Sequence, residues 1–79
     1  MRLDKYLKVS RLIKRRTVAN EACDNERVSV NGRVAKASYD VKVGDKITIR
    51  FGTRELNVEV LQVAETVRKD DAAAMYREL

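Results

Sequence analysis

The spacing of apolar residues changes from a helical to an alternating period near residue 27, and this change restricts the fold more than any other feature. Before it, apolar residues recur at about 100° per residue, the helical spacing, as Leu3, Tyr6 and Leu7 show. After it they alternate with polar residues, as in residues 27–30. The sequence therefore predicts helices first and a β-sheet after them.

Two short helices are expected before the change. The first covers residues 3–10 with Tyr6 on its apolar side, and a bend before Leu12 turns that residue and its neighbour inward. The second starts with Thr17 as its N-cap, since a threonine hydroxyl can accept a hydrogen bond from a free backbone N–H. Its apolar stripe consists of small side chains that allow close packing: Val18, Ala19, Ala22 and Cys23. Cys23 is accordingly expected to be a buried small hydrophobic residue.

The sheet is predicted from a hairpin signal and two further strands. Asn31 and Gly32 separate two apolar-bearing segments, which is the strongest short-range hairpin signal because both positions need positive φ. Residues 46–51 and 54–63 form the next two strands. The inward residues of the first of these are expected to be Ile47, Ile49 and Phe51. The loss of alternation after Val60 indicates the strand's end or a bulge.

The C-terminal residues 70–79 are typical of a short helix, with acids at its start and alanines in its middle. Together, the elements predict an α+β fold: two short packed N-terminal helices against a small twisted, mostly antiparallel sheet, plus a short C-terminal helix. We expect a domain over residues 1–64 and a helical C-terminal extension over residues 65–79.

Several kinds of chemistry are disfavoured by composition. The chain has one Cys and no His, so it lacks the residues for an intramolecular disulfide, a structural zinc site or the usual general acid–base pair. Its three glycines are isolated and form no phosphate-binding loop. We therefore expect no enzymatic activity, no metal and no cofactor. The apolar runs are too short for a membrane span or a signal peptide, and with the single Cys this indicates the cytoplasm.

Positive charge is concentrated near the N-terminus. The chain has 17 Lys and Arg against 12 Asp and Glu, a net charge of +5. Residues 1–16 contain one acid, Asp4, which can pair with Lys8 at i, i+4, whereas acids and bases nearly balance from residue 37 onward. A local field of one sign is typical of a protein that binds a polyanion. We predict that these residues contact RNA: Arg2, Lys5, Lys8, Arg11, Lys14, Arg15, Arg16 and Lys36.

The aromatic residues indicate which kind of nucleic acid is bound. Tyr6 is the only aromatic residue among the basic ones, and it falls on the apolar side of the first helix. Binding of single strands depends on exposed aromatic side chains that stack on bases. Structured RNA, recognised by its shape and phosphates, therefore fits better.

Four segments resemble the alpha-L RNA-binding motif family, first described in the fourth small-subunit ribosomal protein. They are RLDKYL at 2–7, SRLIKRRT at 10–17, RVSVNG at 27–32 and VGD at 43–45. The resemblance extends over about residues 1–51 and is specific, because the segments occur in the family's order. Among stand-alone members, the chain is similar above all to the RqcP family of ribosome quality control proteins in Firmicutes.

This resemblance implies a binding role on the separated large ribosomal subunit that still carries peptidyl-tRNA. Proteins of this kind contact 23S rRNA and the tRNA, and they work beside the quality control factor that adds C-terminal alanines to stalled chains. Carried over by position, the resemblance points first to Arg2 and Arg16. We expect the protein to act as a monomer.

Two other functions remain open on the sequence alone. Two short helices with a basic face would also suit a helix-turn-helix DNA-binding regulator. However, the connection over residues 11–16 is basic and lacks the glycine often found in such turns. The exposed side of the second helix also suits a DNA groove poorly, since it carries Asn20, Glu21, Asp24 and Asn25. The other alternative is a structural protein present on every ribosome.

Overall fold

The computed structural model describes residues 1–79, which form two α-helices, a five-stranded sheet and one 3₁₀ helix. The elements in chain order are α1 (Leu3–Val9), α2 (Arg16–Asp24), β1 (Val28–Val30), β2 (Arg33–Val34), β3 (Lys46–Phe51), β4 (Arg54–Val60), the 3₁₀ helix (Lys69–Met75) and β5 (Tyr76–Glu78). All neighbouring strands are antiparallel, in the order β2-β1-β3-β4-β5. The predicted α+β fold is confirmed. None of the helices has the length and apolarity needed to cross a membrane.

The core lies between α1 and the sheet. Leu3, Tyr6 and Leu7 share one side of α1 by helical spacing, and all three are fully buried. They join the inward residues of the sheet, such as Ile47 and Val58, in one apolar cluster. Burial of a large apolar side chain contributes about 1.5–3 kcal/mol. This side of α1 therefore anchors the helix, and its opposite side remains at the surface.

The second helix begins two residues earlier than the sequence suggests. Arg15 occupies the N-cap position with extended backbone (φ −122°, ψ 136°), and no side chain caps the helix. The prediction that Thr17 is the N-cap was wrong, because Thr17 already has helical backbone. The prediction for Cys23 is confirmed, since its side chain is buried and burial raises the pKa of the thiol to about 11. A thiol with that pKa stays protonated and unreactive at neutral pH.

α2 ends in a Schellman motif that turns the chain towards β1. The N–H of Glu26 donates to the carbonyl of Cys23 at 3.0 Å, and the N–H of Arg27 donates to the carbonyl of Ala22 at 2.9 Å. Glu26 occupies the position that is most often glycine, and its φ is +59°. A non-glycine residue in this left-handed region costs about 1–2 kcal/mol. The turn into the sheet is therefore strained.

The hairpin predicted at Asn31 and Gly32 is present, with positive φ at both positions (+53° and +84°). The Asn31 side chain also accepts a hydrogen bond from the N–H of Lys46 (3.0 Å) and donates one to the carboxylate of Asp45 (3.1 Å). These bonds attach the hairpin to the start of β3. A short-range turn signal thus also helps to fix a pairing between strands that are distant in sequence.

One inward position of β3 was predicted wrongly. Ile47 and Ile49 are buried, but Phe51 is 48% exposed although it lies on the same side of the strand. Phe51 ends β3 at the turn into β4, where it pairs with Arg54. It therefore lies beyond the part of the strand that the core covers. β4 ends at Val60, where the loss of alternation indicated an end or a bulge.

The C-terminal segment forms a short helix and then a strand. The 3₁₀ helix contains the acids and alanines of the predicted helix, and it buries Ala72 and Met75. The prediction that a helix continues to residue 79 was wrong, because residues 76–78 pair with β4. Without β5, the edge of β4 would present unpaired backbone groups. The division of the chain at residue 64 remains a prediction.

Replacing Glu26 by glycine should stabilise the protein, because glycine adopts the left-handed conformation at little steric cost. We expect the free energy of unfolding to rise by about 0.5–1 kcal/mol, measured by urea denaturation. Glu26→Ala removes the same carboxylate but keeps the strained φ, so it should show no gain. An equal gain in both variants would attribute the effect to the lost charge.

Candidate RNA-binding surface

The structure places the predicted basic residues around the two N-terminal helices. Arg2 precedes α1, Lys5 and Lys8 lie on α1, and Arg16 begins α2. The connection between the helices and the loop after β2 carry the others, Arg11, Lys14, Arg15 and Lys36. All are exposed except Lys5, which is partly buried. We call this set the basic surface, and its contact with RNA remains a prediction.

A buried carboxylate, that of Asp4, holds two of these cations in place. Its side chain is only 3% exposed. Arg2 donates to it through Nε (3.2 Å to Oδ1) and Nη2 (3.4 Å to Oδ2), and Arg16 donates through Nε (3.4 Å to Oδ2). Asn20 Nδ2 donates at 3.3 Å, and the backbone N–H of Lys5 donates at 2.8 Å. We call Asp4, Arg2, Arg16 and Asn20 the Asp4 cluster, which joins the start of α1 to the first turns of α2.

The Asp4 carboxyl is ionised at neutral pH. Burial alone would raise its pKa, but the hydrogen bonds from the arginine and asparagine side chains and from the Lys5 N–H hold the pKa below its usual value. The sequence suggested Lys8 as the partner of this acid. The structure instead pairs it with Arg2 and Arg16, because the carboxylate faces α2 and not the exposed side of α1.

The two arginines of the Asp4 cluster keep donors free for a ligand. Their side chains are about half exposed, 52% for Arg2 and 48% for Arg16. Arg16 uses only Nε for Asp4, so both of its Nη groups have no protein partner. A guanidinium is a planar fork that matches a phosphate group. A side chain that is already fixed also loses little conformational freedom on binding, so this geometry suits phosphate recognition.

The remaining cations differ in how they are paired. Those without an acidic partner are Lys8, Arg11, Lys14, Arg15 and Lys36. Lys5 instead donates to the carboxylate of Glu65, in the segment after β4, and this bond lowers the pKa of Glu65. The field of the basic surface is therefore uncompensated at most positions and partly neutralised at Lys5.

The connection between the helices turns sharply at a strained residue. Arg11 follows α1 with a φ of +64°, and its N–H donates to the carbonyl of Lys8 at 3.1 Å. Ile13 then returns to the core, where it is 7% exposed and its N–H donates to the carbonyl of Leu7 at 3.0 Å. The predicted bend before Leu12 is confirmed. It leaves the cations of the connection at the surface.

A shallow groove of about 480 Å³ brings Lys36 to the Asp4 cluster. Arg2 and Asn20 line it together with Lys36. Two acids, Asp24 and Glu26, also line the groove, so positive charge is less concentrated here than in the connection between the helices. No group of acidic or cysteine side chains is placed to hold a metal ion.

Comparison with known proteins relates this geometry to a family. Residues 1–47 match the S4 domain. A protein from Halalkalibacterium halodurans named RQC P-site tRNA stabilizing factor is 59% identical over 76 residues, which cover 96% of this chain and 86% of that protein. The protein of the same name from Bacillus subtilis is 58% identical over 76 residues, which cover 96% of this chain and 88% of that protein.

A solved structure has the same fold. The trimeric structure of Vibrio cholerae Heat Shock Protein 15 has a TM-score of 0.92 and 34% identity, and the match covers 100% of this chain and 81% of that one. The residues that match the S4 domain include both helices and the first hairpin, so the Asp4 cluster lies within the matched region. The resemblance predicted from the sequence is thus confirmed, and the chain belongs to the S4 domain family, among the relatives named RQC P-site tRNA stabilizing factor.

Proposed function

We propose that this chain binds structured RNA of the large ribosomal subunit and stabilises the P-site tRNA in ribosome quality control. The observation that carries the proposal is the Asp4 cluster, which presents Arg2 and Arg16 beside cations that have no acidic partner. The names of the relatives support the tRNA and the process. In the proposed complex the chain contacts 23S rRNA and peptidyl-tRNA, beside the factor that adds C-terminal alanines to stalled chains.

The proposed mechanism is binding by shape and charge. Exposed lysines and arginines attract the phosphate backbone, and this attraction weakens as salt rises. Arg2 and Arg16 then make directed contacts, because Asp4 has fixed their guanidinium groups before the RNA arrives. The chain holds its RNA partners in position and performs no catalysis. It acts in the cytoplasm as a monomer.

Sedimentation of a lysate that contains the tagged protein tests this function. We expect the protein on free large subunits that carry peptidyl-tRNA, detected by blotting for the tag and the tRNA across a sucrose gradient. Arg16→Ala should reduce this association roughly tenfold or more, since a hydrogen bond to a charged group contributes about 1.5–3 kcal/mol. Arg77→Ala removes the same charge from β5, outside the basic surface, and should sediment like the wild type.

The same gradient separates the alternatives. Equal occupancy of all ribosomal particles would indicate a constitutive structural protein. Absence from every ribosomal fraction would contradict both ribosomal functions and would favour the DNA-binding regulator. A loss in Arg77→Ala as large as in Arg16→Ala would mean that total charge, and not the Asp4 cluster, determines binding.

Asp4→Asn should weaken RNA binding even though it makes the protein more positive. A simple charge effect would strengthen binding, whereas loss of the carboxylate releases Arg2 and Arg16 from their fixed positions. We expect the Kd for a structured RNA hairpin to rise roughly five- to tenfold, measured by fluorescence anisotropy. The free energy of unfolding should fall by about 1–3 kcal/mol, because the donors around Asp4 lose a charged acceptor.

Glu21→Gln is the matched control for this variant. Glu21 lines the same pocket as Asp4 and Arg16 but forms no ion pair with either arginine, so its loss removes a nearby negative charge without releasing them, and affinity should stay the same or rise. If Asp4→Asn and Glu21→Gln bind the hairpin equally well, the arginines do not depend on Asp4 for their position.

Glu65→Gln should strengthen RNA binding, because it removes the carboxylate that forms an ion pair with the Lys5 ammonium group. If the released Lys5 contacts a phosphate, the slope of log Kd against log salt concentration should steepen by about 0.7–0.9. Glu78→Gln removes an equal charge from β5, where it has no ion pair, and should leave the slope unchanged. Equal slopes in the two variants would show that Lys5 makes no phosphate contact.

A further inference from the structure

An exposed aromatic side chain lies in a basic setting beyond the Asp4 cluster. Phe51, at the end of β3, is 48% exposed, and Val18 of α2 is 47% exposed. Both line a groove of about 310 Å³ between α2, the end of β3 and the connection that follows α1. We call it the Phe51 groove. Two large exposed apolar side chains in one concave site are typical of a binding site.

The rim of the Phe51 groove is positively charged. Lys14, Arg27 and Arg50 line it, and none of them forms an ion pair. The N–H of Arg50 donates to the carbonyl of Arg27 at 2.8 Å, which fixes the two arginines as neighbours. Glu21 is the single acid that lines the groove. The groove therefore combines an apolar floor with a net positive rim.

This combination selects one kind of ligand. An unpaired nucleotide has a flat apolar base for the floor and a phosphate for the rim, and stacking on an aromatic side chain does not depend on which base is present. A purely apolar peptide would leave three cations without partners. Lys14 belongs both to the basic surface and to this groove, so one RNA backbone can run from one to the other.

We infer that the Phe51 groove takes an unpaired base of the bound RNA, stacked on Phe51, with the flanking phosphates on Lys14, Arg27 and Arg50. The inference rests on the proposed function, since it needs RNA on the basic surface. It also alters the conclusion drawn from the aromatic residues of the sequence. The protein binds structured RNA by its phosphates, and in addition it recognises one place where that structure leaves a base unpaired.

Two fluorescein-labelled RNA hairpins test this inference by anisotropy. One carries a single unpaired adenosine in its stem, and the other is the same hairpin with a fully paired stem. We expect the wild-type protein to bind the first more tightly. Phe51→Ala should weaken binding of the bulged hairpin roughly 5- to 100-fold and leave the paired hairpin unchanged.

Further variants separate stacking from packing. Phe51→Leu keeps an apolar side chain without an aromatic face, so it should lose affinity for the bulged hairpin, whereas Phe51→Trp should keep it. The chain has no other Trp, so the fluorescence of the Phe51→Trp protein should be quenched by the bulged hairpin and not by the paired one. Val43→Ala truncates another exposed apolar residue, in the turn before β3, and should change neither affinity.

Three results would contradict base binding in the Phe51 groove. If Phe51→Ala and Phe51→Leu bind both hairpins like the wild type, the groove binds no base and the inference fails. A protein partner would then be the alternative ligand of the groove. Equal losses on both hairpins also overturn it, because they would reflect the fold or general RNA affinity. Binding of neither hairpin by the wild type would overturn the proposed function together with this inference.

Discussion

The buried carboxylate of Asp4 is the interaction on which the relation between the two helices and the basic surface depends. A carboxylate removed from water is costly unless charged or hydrogen-bonding partners surround it. Here the partners come from three places, the residue before α1, the backbone of α1 and the first turns of α2. In the observed arrangement of the two helices, all of these partners reach the Asp4 carboxylate. That arrangement is also the one that presents Arg2 and Arg16 to solvent with free N–H groups.

A second buried polar group connects α1 to the other end of the chain. The Tyr6 hydroxyl donates to the carbonyl of Met75 at 2.7 Å, and burial raises the pKa of this phenol. The same carbonyl accepts hydrogen bonds from the N–H groups of Leu61 and Gln62. The segment between β4 and β5 is thus held against α1, and it carries Glu65, the partner of Lys5. The C-terminal segment therefore contributes to the core and also sets the charge of one position of the basic surface.

The sequence predicted the features that local interactions determine. The spacing of apolar residues located both helices and the strands, and the Asn31-Gly32 pair located the first hairpin. Each of these signals depends on neighbours within a few residues. The exposed cations near the N-terminus were also predicted from the sequence, because they are concentrated in one short segment. Apart from the N-cap of α2, the features that were missed depend on residues distant in sequence. Asp4 finds partners 12 and 16 residues away, and residues 76–78 become a strand only because β4 offers them an edge. Phe51 is exposed because it ends β3 at the turn into β4, beyond the part of the strand that the core covers, and its alternation with polar residues does not encode this.

The connection between α1 and α2 combines backbone strain with positive charge. The left-handed conformation of Arg11 costs about 1–2 kcal/mol, and it allows Ile13 to return to the core, where burial of its side chain contributes about 1.5–3 kcal/mol. A glycine at position 11 would make the same turn at lower cost, but it would remove a cation from the segment that leads directly into Arg16. Strained residues of this kind often occur at binding sites. Because Lys14 follows Ile13 and lines the Phe51 groove, the packing of one core residue determines where the cations between the Asp4 cluster and the groove lie. Folding of this segment and the shape of the RNA-binding surface are therefore set by the same turn.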